Sequence, residues 1–343
     1  MKQHNRDNQR RRHPSQNNPY QQNDSTKAVP SVTKWLLPIL SRRLGIKSRR
    51  QQELFLLGCI VAILALWFLT PVSDSCAAFI LYTVPIESDV ALGREALVSL
   101  ERKYPRVHDR WGVSRIGSEL VSAGTLSKRD LYSRQLQQNP QLFDNIEIYQ
   151  WDFGVVKAPP DMVNAFALPG GIVRVTDSLL KTLHLTDAEL AALLGHEMGH
   201  ILYRHSQKRA IKNHLLSTIW EAFSYEDNDG YNESFGEAVA EGMWKSASFL
   251  GELAFSRSDE YQADEAAWDL LASTYSTAGR SNNIDARQFH PKSVKSLLTK
   301  LWKYQGGSGS TSWESTHPGT KDRIDALQKK WNTLDTLKRR TFV

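Results

Sequence analysis

The pattern of hydrophobic and polar residues divides the chain into an apolar segment and a longer soluble part. Residues 54–70, LFLLGCIVAILALWFLT, are uncharged and have no polar stripe, whereas a helix buried in a soluble core usually carries one. Seventeen such residues reach the lower limit for crossing a bilayer. The pattern therefore predicts a single membrane span within an anchor segment at 51–87. A second apolar run, 76–86, is too short to span unaided, and whether it enters the membrane stays open.

Beyond this segment the spacing of apolar residues becomes that of a soluble domain, which we expect to cover 88–343. Apolar residues recur every three or four positions in 89–104 and 109–124, which predicts two amphipathic helices. Residues 146–158 alternate and are β-rich, which predicts a strand, and 164–180 predicts two short strands around a Pro-Gly-Gly turn. The predicted fold class is α+β, mostly helical, with a small β-sheet, behind an N-terminal transmembrane helix.

Positive charge is concentrated at the N-terminus. The formal net charge is +6, but residues 1–50 hold twelve Lys and Arg against two Asp, so the rest of the chain sums to about −4. This composition predicts a disordered basic tail or a targeting segment. A nucleic-acid-binding core would need basic residues on the folded domain, and a nucleic-acid-binding tail would need aromatic residues among its arginines, where 1–24 has only Tyr20. We therefore expect no nucleic-acid partner.

The cysteine content limits the kinds of metal site that the chain can form. Only Cys59 and Cys76 are present, and both lie in or beside the apolar segment. This excludes a disulfide framework and a cysteine-based zinc site. A metal ion would therefore have to be held by histidine and carboxylate side chains.

The segment LLGHEMGHILYRH contains the strongest chemical pattern in the sequence. A capping box of Thr186 and Glu189 precedes it and predicts the start of a helix. On that helix His196 and His200 are four residues apart and project from one face, so both imidazoles can reach one ion. Glu197 is rotated by about 100° from His196, which places its carboxylate beside the ion. The pattern favours two metal ligands and a base, while histidines that bind no metal remain the alternative.

A catalytic zinc needs a third protein ligand and an open position for water. Glu260 and Asp264, in FSRSDEYQADEAAWDLL, are four apart on a predicted helix, so both carboxylates face the same way. One can ligate the ion while the other accepts the free N–H of a ligand histidine. Taken alone, two such carboxylates are more often a solvated helix face.

Four segments in order, NAFALPGG, HEMGH, SRSDEYQAD and STHPGTKDRI, resemble those of the membrane-associated zinc metallopeptidase family of HtpX and the CAAX prenyl endoproteases. The resemblance covers roughly 90–330. Within the family, the single-span layout is most similar to the mitochondrial inner-membrane branch and its bacterial periplasmic relatives. The resemblance implies a gluzincin-type fold, with the active-site helix packed beneath a small sheet.

The resemblance also implies roles for individual residues. His196, His200 and Glu260 would bind one Zn²⁺ per subunit, and Glu197 would be the catalytic glutamate. Asp264 would support a ligand. With these roles, zinc acidifies water and polarises the scissile carbonyl, while Glu197 acts as the general base.

Three further features have open interpretations. An edge strand over the cleft could pair with an extended substrate or be an ordinary hairpin; its residues are Asn164, Ala165, Phe166, Ala167 and Leu168. His317 or Arg323 could donate to the developing oxyanion, or His317 could occupy the open zinc position and hold the enzyme inactive. His205 matches the family pattern, but neither a direct role nor a packing role can be preferred.

These features predict a membrane-anchored zinc-dependent metalloendopeptidase that hydrolyses membrane or misfolded proteins in protein quality control. The alternative is a catalytically inert, metal-stabilised adaptor or chaperone, which the intact ligand set disfavours. Expected partners are protein or peptide substrates and the membrane, and a homo-oligomer is left open. The basic N-terminus before a span suits the mitochondrial inner membrane, with the protease domain on the intermembrane-space side. A bacterial inner membrane, with the domain facing the periplasm, is the alternative.

Overall fold

The computed structural model describes part of the chain, namely residues 81, 84, 86, 88–128, 140–212, 254–278, 289–306 and 312–334. The predicted tail and the predicted span at 54–70 lie outside the described residues, as does most of 76–86. Among the helices that are described, none combines the length and the apolar character needed to cross a membrane.

The described chain is mostly helical with a small mixed sheet, as the sequence predicts. The helices are α1 (Ser88–Lys103), α2 (Val113–Lys128), α3 (Asp177–Leu183), α4 (Asp187–Leu202), α5 (Arg257–Ala278), α6 (Ser293–Tyr304), α7 (Ser312–Thr316) and α8 (Thr320–Thr333). The strands are β1 (Arg106–Val107), β2 (Asp152–Val156), β3 (Ala165–Leu168) and β4 (Ile172–Thr176). A 3₁₀ helix covers Pro140–Asn145, and residues 205–212 are also helical.

The sheet has the order β1-β2-β4-β3, in which β2 and β4 are parallel and the outer pairs are antiparallel. The predicted hairpin is present, and Gly170 and Gly171 have φ of 76° and 94° in its turn. A Cβ atom on Gly170 would lie 2.7 Å from the Cα of Val90, so the turn also requires glycine for space.

The strand predicted at 146–158 is shorter in the structure, where β2 covers only Asp152–Val156. The preceding residues form turns, in which the amides of Ile146 and Ile148 bond to the carbonyls of Phe143 and Asn145. Ile146 and Tyr149 are nevertheless buried, and the Trp151 indole donates to the carbonyl of Ile146 at 2.8 Å. The apolar alternation therefore reflects a packed turn before the strand.

The two faces of the sheet have different environments. Val173 and Val175 of β4 join the main core, which includes Leu193 and Met198 of α4. Arg174 points to the opposite face and is fully buried. Its guanidinium bonds to Glu101 of α1 at 2.8 Å and to the carbonyl of Asp152 at 2.9 Å, so the buried charge is paired and hydrogen-bonded.

Helix α4 begins with the predicted capping box and packs closely on α5. The Thr186 hydroxyl accepts from the amide of Glu189, and the Glu189 carboxylate accepts from the amide of Thr186. Along the face toward α5, a Cβ atom on Gly199 would lie 2.9 Å from the Cα of Ala263, and one on Gly195 would lie 3.1 Å from the Cα of Ala267. The glycines let the two backbones approach, which brings the carboxylates of α5 to the histidines of α4.

Candidate metal centre

Four buried side chains from three parts of the fold form a compact group of possible metal ligands. His196 and His200 come from α4, Glu260 from α5 and His317 from the turn between α7 and α8. One ligand atom from each lies within 4.8 Å of all the others. The structure thus brings together the three predicted ligands and adds His317 as a fourth donor.

Several distances between these donors are close to those expected around one tetrahedral ion. Donors about 2.0 to 2.1 Å from zinc lie about 3.3 Å apart at the corners of a tetrahedron. The two Nε2 atoms of His196 and His200 are 3.1 Å apart, and each is 3.4 Å from an oxygen of Glu260. His317 Nδ1 lies 3.1 Å from Glu260 and 3.4 Å from His196. A set of imidazoles and one carboxylate, without thiolates, is chemically suited to zinc.

Asp264 contacts His196 Nδ1, the ring nitrogen that points away from the cluster. Its Oδ1 lies 3.0 Å from His196 Nδ1, which fixes a proton on that nitrogen and leaves Nε2 directed at the cluster. Burial lowers the pKa of His196, but hydrogen bonds to Asp264 and Glu260 outweigh it and raise the pKa to about 9. Without a metal, His196 therefore carries a second ring proton, which a cation bound in the cluster would displace.

Arg323 is buried and directed at two carboxylates. Its Nε and Nη2 donate to Asp264, both at 2.7 Å, and its Nη1 donates to Glu260. Burial raises the pKa of Glu260, but Arg323 and His317 outweigh it and hold that pKa well below its usual range. The guanidinium therefore keeps Glu260 ionised and orients Asp264. From the sequence, Arg323 was a candidate donor to the oxyanion, and these contacts with Glu260 and Asp264 were not predicted.

Glu197 follows His196 on α4 and is fully buried. Neither carboxylate oxygen has a hydrogen-bond partner within the described part of the chain, and the imidazole Nε2 of His317 is 3.8 Å from Oε1. Burial raises the pKa of Glu197, although His317 and His196 act in the opposite direction. A buried carboxylate with free lone pairs and a raised pKa is suited to accept a proton as a general base.

Two aromatic rings that were not predicted from the sequence pack on the candidate ligand histidines. Trp313 stacks on His317 with ring centroids 4.1 Å apart, and Phe255 stacks on His200 at 3.7 Å. Trp313 lies four residues before His317, a helical spacing that could have identified it. The only local signal for Phe255 was its position just before the SRSDE segment. These rings restrict the orientation of the imidazoles and shield them from water.

His205 directly contacts His200, one of the candidate ligands. Its Nδ1 lies 2.9 Å from His200 Nδ1, and its Nε2 lies 2.9 Å from Gln262 Oε1. Burial is the largest cause that lowers the pKa of both His200 and His205, so both rings are neutral at neutral pH.

Among the described residues, the predicted substrate strand lies at the edge of the sheet, since β3 pairs there only with β4. All five of its predicted residues are nevertheless buried, with 1 to 6% of their surface exposed: Asn164, Ala165, Phe166, Ala167 and Leu168. The Asn164 side chain accepts from the hydroxyl of Thr316 at 3.3 Å, one residue before His317. The strand is therefore linked to the metal-ligand cluster through α7.

Comparison with known proteins is consistent with this geometry. Residues 135–331, more than half of the chain, match peptidase family M48. This range contains every residue of the ligand cluster.

Individual relatives match the same region. The mitochondrial metalloendopeptidase OMA1 of Arabidopsis thaliana is 34% identical over 186 residues, which are 53% of this chain and 32% of the relative. OMA1 of Schizosaccharomyces pombe is 29% identical over 194 residues, 56% of this chain and 50% of the relative. The metalloprotease LoiP of Escherichia coli is 26% identical over 168 residues, 49% of this chain and 58% of the relative. The chain thus spans about a third to somewhat over half the length of these relatives.

Proposed function

The chain belongs to peptidase family M48, and on this basis we propose that it is a zinc-dependent metalloendopeptidase. One observation carries the proposal. The Nε2 atoms of His196 and His200 converge on Glu260 at 3.4 Å, next to a buried Glu197 that has no partner in the described chain. His196, His200 and Glu260 would hold one zinc ion per subunit, and Glu197 would be the general base.

The proposed mechanism assigns a separate task to each side chain. Zinc, when bound, makes water more acidic and polarises the peptide carbonyl. Glu197 takes the proton of the attacking water and returns it to the leaving amine, a role that its raised pKa supports. Asp264 holds His196, and Arg323 keeps the two α5 carboxylates ionised and oriented.

The proposed substrate is an extended polypeptide that pairs with β3. Along an antiparallel strand, the backbone N–H and C=O groups of successive residues point alternately toward and away from the neighbouring strand. The amide of Thr176 bonds to the carbonyl of Asn164, so the backbone of Asn164 points toward β4. The backbone groups of Ala165 and Ala167 therefore point away from β4, the direction in which a strand could be added. The amide of Ala165 donates to the Asn164 side chain at 3.0 Å, so a pairing substrate would have to replace this bond. Because the strand is buried, a substrate must displace the groups that cover it.

His317 retains the two roles proposed from the sequence. It would either donate to the oxyanion or act as the fourth ligand that blocks water, and its position 3.1 Å from Glu260 and 3.8 Å from Glu197 suits both. Casein cleavage by His317→Ala separates them: cleavage increases if the ring blocks the site and decreases if it stabilises the oxyanion. Unchanged cleavage contradicts both roles.

We further propose that residues 88–343 form the peptidase domain behind a single-pass anchor at 51–87, and that 1–50 is a basic tail or targeting segment. The domain would act on membrane or misfolded proteins in the intermembrane space, from the mitochondrial inner membrane. In a bacterium the equivalent location is the inner membrane, with the domain facing the periplasm. A relative named as mitochondrial supports the organelle, and a relative from Escherichia coli supports the bacterial alternative.

The full-length chain and its Glu197→Gln variant test the function directly. We expect the variant to retain one zinc ion per chain, measured by elemental analysis, and to lose about a hundredfold or more of its casein cleavage. Glu95→Gln, at an exposed glutamate of α1, is the matched control and should cleave normally. Wild-type cleavage by Glu197→Gln contradicts the mechanism. A zinc-loaded wild type that cleaves no protein would instead support the inert adaptor.

A further inference from the structure

The position of His205 depends on a sharp reversal of the chain after α4. Helix α4 ends at Leu202, and Arg204 adopts a left-handed conformation with φ of 54°. The Arg204 guanidinium is fixed by two hydrogen bonds to Asp89, at 2.8 and 2.9 Å. The chain then becomes helical again at His205, whose ring is 1% exposed and turns back toward His200. A non-glycine residue in this conformation must be held by its surroundings, here by a partly buried ion pair with Asp89.

The contacts of His205 determine which of its ring nitrogens carries the proton. Its Nε2 lies 2.9 Å from Gln262 Oε1 and 3.6 Å from the carboxylate of Asp259. Both are acceptors, so Nε2 carries the hydrogen and donates it. A neutral imidazole has one N–H, which leaves a lone pair on Nδ1 of His205.

This lone pair in turn determines the tautomer of His200. Only 2.9 Å separates the Nδ1 atoms of the two rings, so His200 Nδ1 must be the donor in this bond. The lone pair of His200 is then on Nε2, which faces His196 and Glu260. The second ligand histidine thus has its own partner, as His196 has Asp264 on the corresponding nitrogen.

We propose that His205 is a positioning residue, which fixes His200 in the tautomer and orientation that direct Nε2 at the zinc ion. This inference rests on the proposed zinc site. His205 acts through His200 and does not touch the reacting atoms.

The charge of the site explains why a neutral acceptor fits here. Around the ion, the carboxylates of Glu197, Glu260 and Asp264 would be balanced by Arg323 and a zinc dication, and a fourth carboxylate, that of Asp259, already lies 3.6 Å from His205 Nε2. A carboxylate in place of His205 would add a buried negative charge next to a neutral ring, which is costly unless it is paired. An imidazole accepts the same hydrogen bond without this charge.

The test measures zinc affinity rather than proteolysis. Full-length wild type, His205→Phe and His205→Asn are titrated with zinc against a chelator of known affinity. Phenylalanine keeps an aromatic ring but has no acceptor, so we expect the zinc dissociation constant to rise by about 10- to 100-fold. Asparagine can place its amide oxygen near the position of Nδ1, so we expect it to recover most of the affinity. His108→Phe, which changes an exposed histidine, should bind zinc as the wild type does.

Two further measurements separate positioning from folding. The thermal midpoint of each metal-free protein reports folding, and the absorption bands of the Co²⁺-substituted proteins report the ligand field at the metal. We expect His205→Phe to shift these bands and His205→Asn to leave them close to the wild type. If His205→Phe does not fold, Gln262→Leu tests the same chain of bonds one step further out, and we expect a smaller loss of affinity in the same direction.

The results distinguish this inference from the proposed function. Wild-type zinc affinity and unchanged Co²⁺ bands in His205→Phe would overturn the positioning role while leaving the zinc site intact. Equal losses in the Phe and Asn variants would also overturn it, because they would indicate a packing role only. A wild-type chain that binds no zinc would instead contradict the proposed function.

Discussion

Asp264 lies against the side of the His196 ring that faces away from the other candidate ligands. Its Oδ1 is 3.0 Å from His196 Nδ1, while Nε2 on the opposite side of the ring is 3.4 Å from Glu260. The same carboxylate accepts two hydrogen bonds from Arg323, both at 2.7 Å. Asp264 therefore connects the orientation of a ligand to a buried ion pair.

Replacing Asp264 should weaken both the fold and the metal site. Asp264→Ala leaves the Arg323 charge with Glu260 as its remaining close carboxylate, and loss of a buried partner costs about 3 to 5 kcal/mol of unfolding free energy. The free N–H of His196 also loses its acceptor, so zinc affinity should fall about 10- to 100-fold. Asp264→Asn keeps an acceptor oxygen and should lose less zinc affinity. Urea unfolding measures the stability, and competition with a chelator measures the zinc affinity. Equal zinc affinity in the wild type, Asp264→Ala and Asp264→Asn would contradict the role of Asp264.

The close contact between α4 and α5 predicts an order of effects for two glycines. A Cβ atom on Gly199 would lie 2.9 Å from the Cα of Ala263 and 3.0 Å from its carbonyl oxygen, whereas the nearest atom to one on Gly195 is 3.1 Å away. Backbone atoms cannot move aside, so Gly199→Ala should separate the helices and cost about 1 to 3 kcal/mol of unfolding free energy.

Gly195→Ala is the matched control on the same helix face and should cost less. Because Glu260 is on α5, separation of the helices should also lower zinc affinity in Gly199→Ala more than in Gly195→Ala. Thermal unfolding and zinc titration measure both, and a larger effect at Gly195 would contradict the packing argument.

The grouping of the candidate ligands was predictable from sequence because it depends on helical periodicity. His196 with His200, and Glu260 with Asp264, are each four apart, so their side chains share a face in any regular helix. The hairpin was predictable for a similar reason, since two consecutive glycines after a proline favour a tight turn.

The parts that were not predicted depend on contacts between distant residues or on unusual backbone. The contact of His205 with His200 requires the left-handed conformation of Arg204, which Asp89 holds from 115 positions away in the chain. Ring packing of Phe255 on His200 depends on how α5 approaches α4. Apolar and polar residues do alternate in 146–158, but part of this stretch forms buried turns. Hydrophobic periodicity alone does not separate such turns from a strand.

The capping box of α4 should make stability depend on pH through Glu189. Burial raises the pKa of Glu189, but Lys300, the amide of Thr186 and the hydroxyl of Ser296 outweigh it and lower the pKa. A depressed pKa in the folded state means that the ionised group stabilises the fold above its unfolded pKa of about 4.3, and that this contribution is lost as the pH falls through the folded pKa.

The variant Glu189→Gln keeps an oxygen that can accept from the amide of Thr186 but loses the ion pair with Lys300, so it should be less stable than the wild type at pH 7 by about 0.5 to 1 kcal/mol. The difference in unfolding free energy should narrow as the pH is lowered below about 4.3, because the wild-type carboxylate becomes neutral as well. Urea unfolding of both proteins at a series of pH values measures this difference in unfolding free energy. Glu95→Gln, on the exposed side of α1, should show little pH-dependent difference from the wild type. A constant difference across the series would contradict the assignment.

Removal of the metal should lower the thermal midpoint of the full-length chain and restoration of zinc should recover it. A ligand that binds only the folded state at about 100 times its dissociation constant stabilises that state by about 2.7 kcal/mol. His196→Ala removes a donor that lies 3.1 Å from His200 Nε2, so the zinc-dependent shift should largely disappear. Glu197→Gln replaces a group that is not in the donor set, so it should keep the shift while losing cleavage. Differential scanning calorimetry with and without a chelator measures these shifts, and a midpoint in the wild type that does not respond to zinc would contradict the proposed metal site.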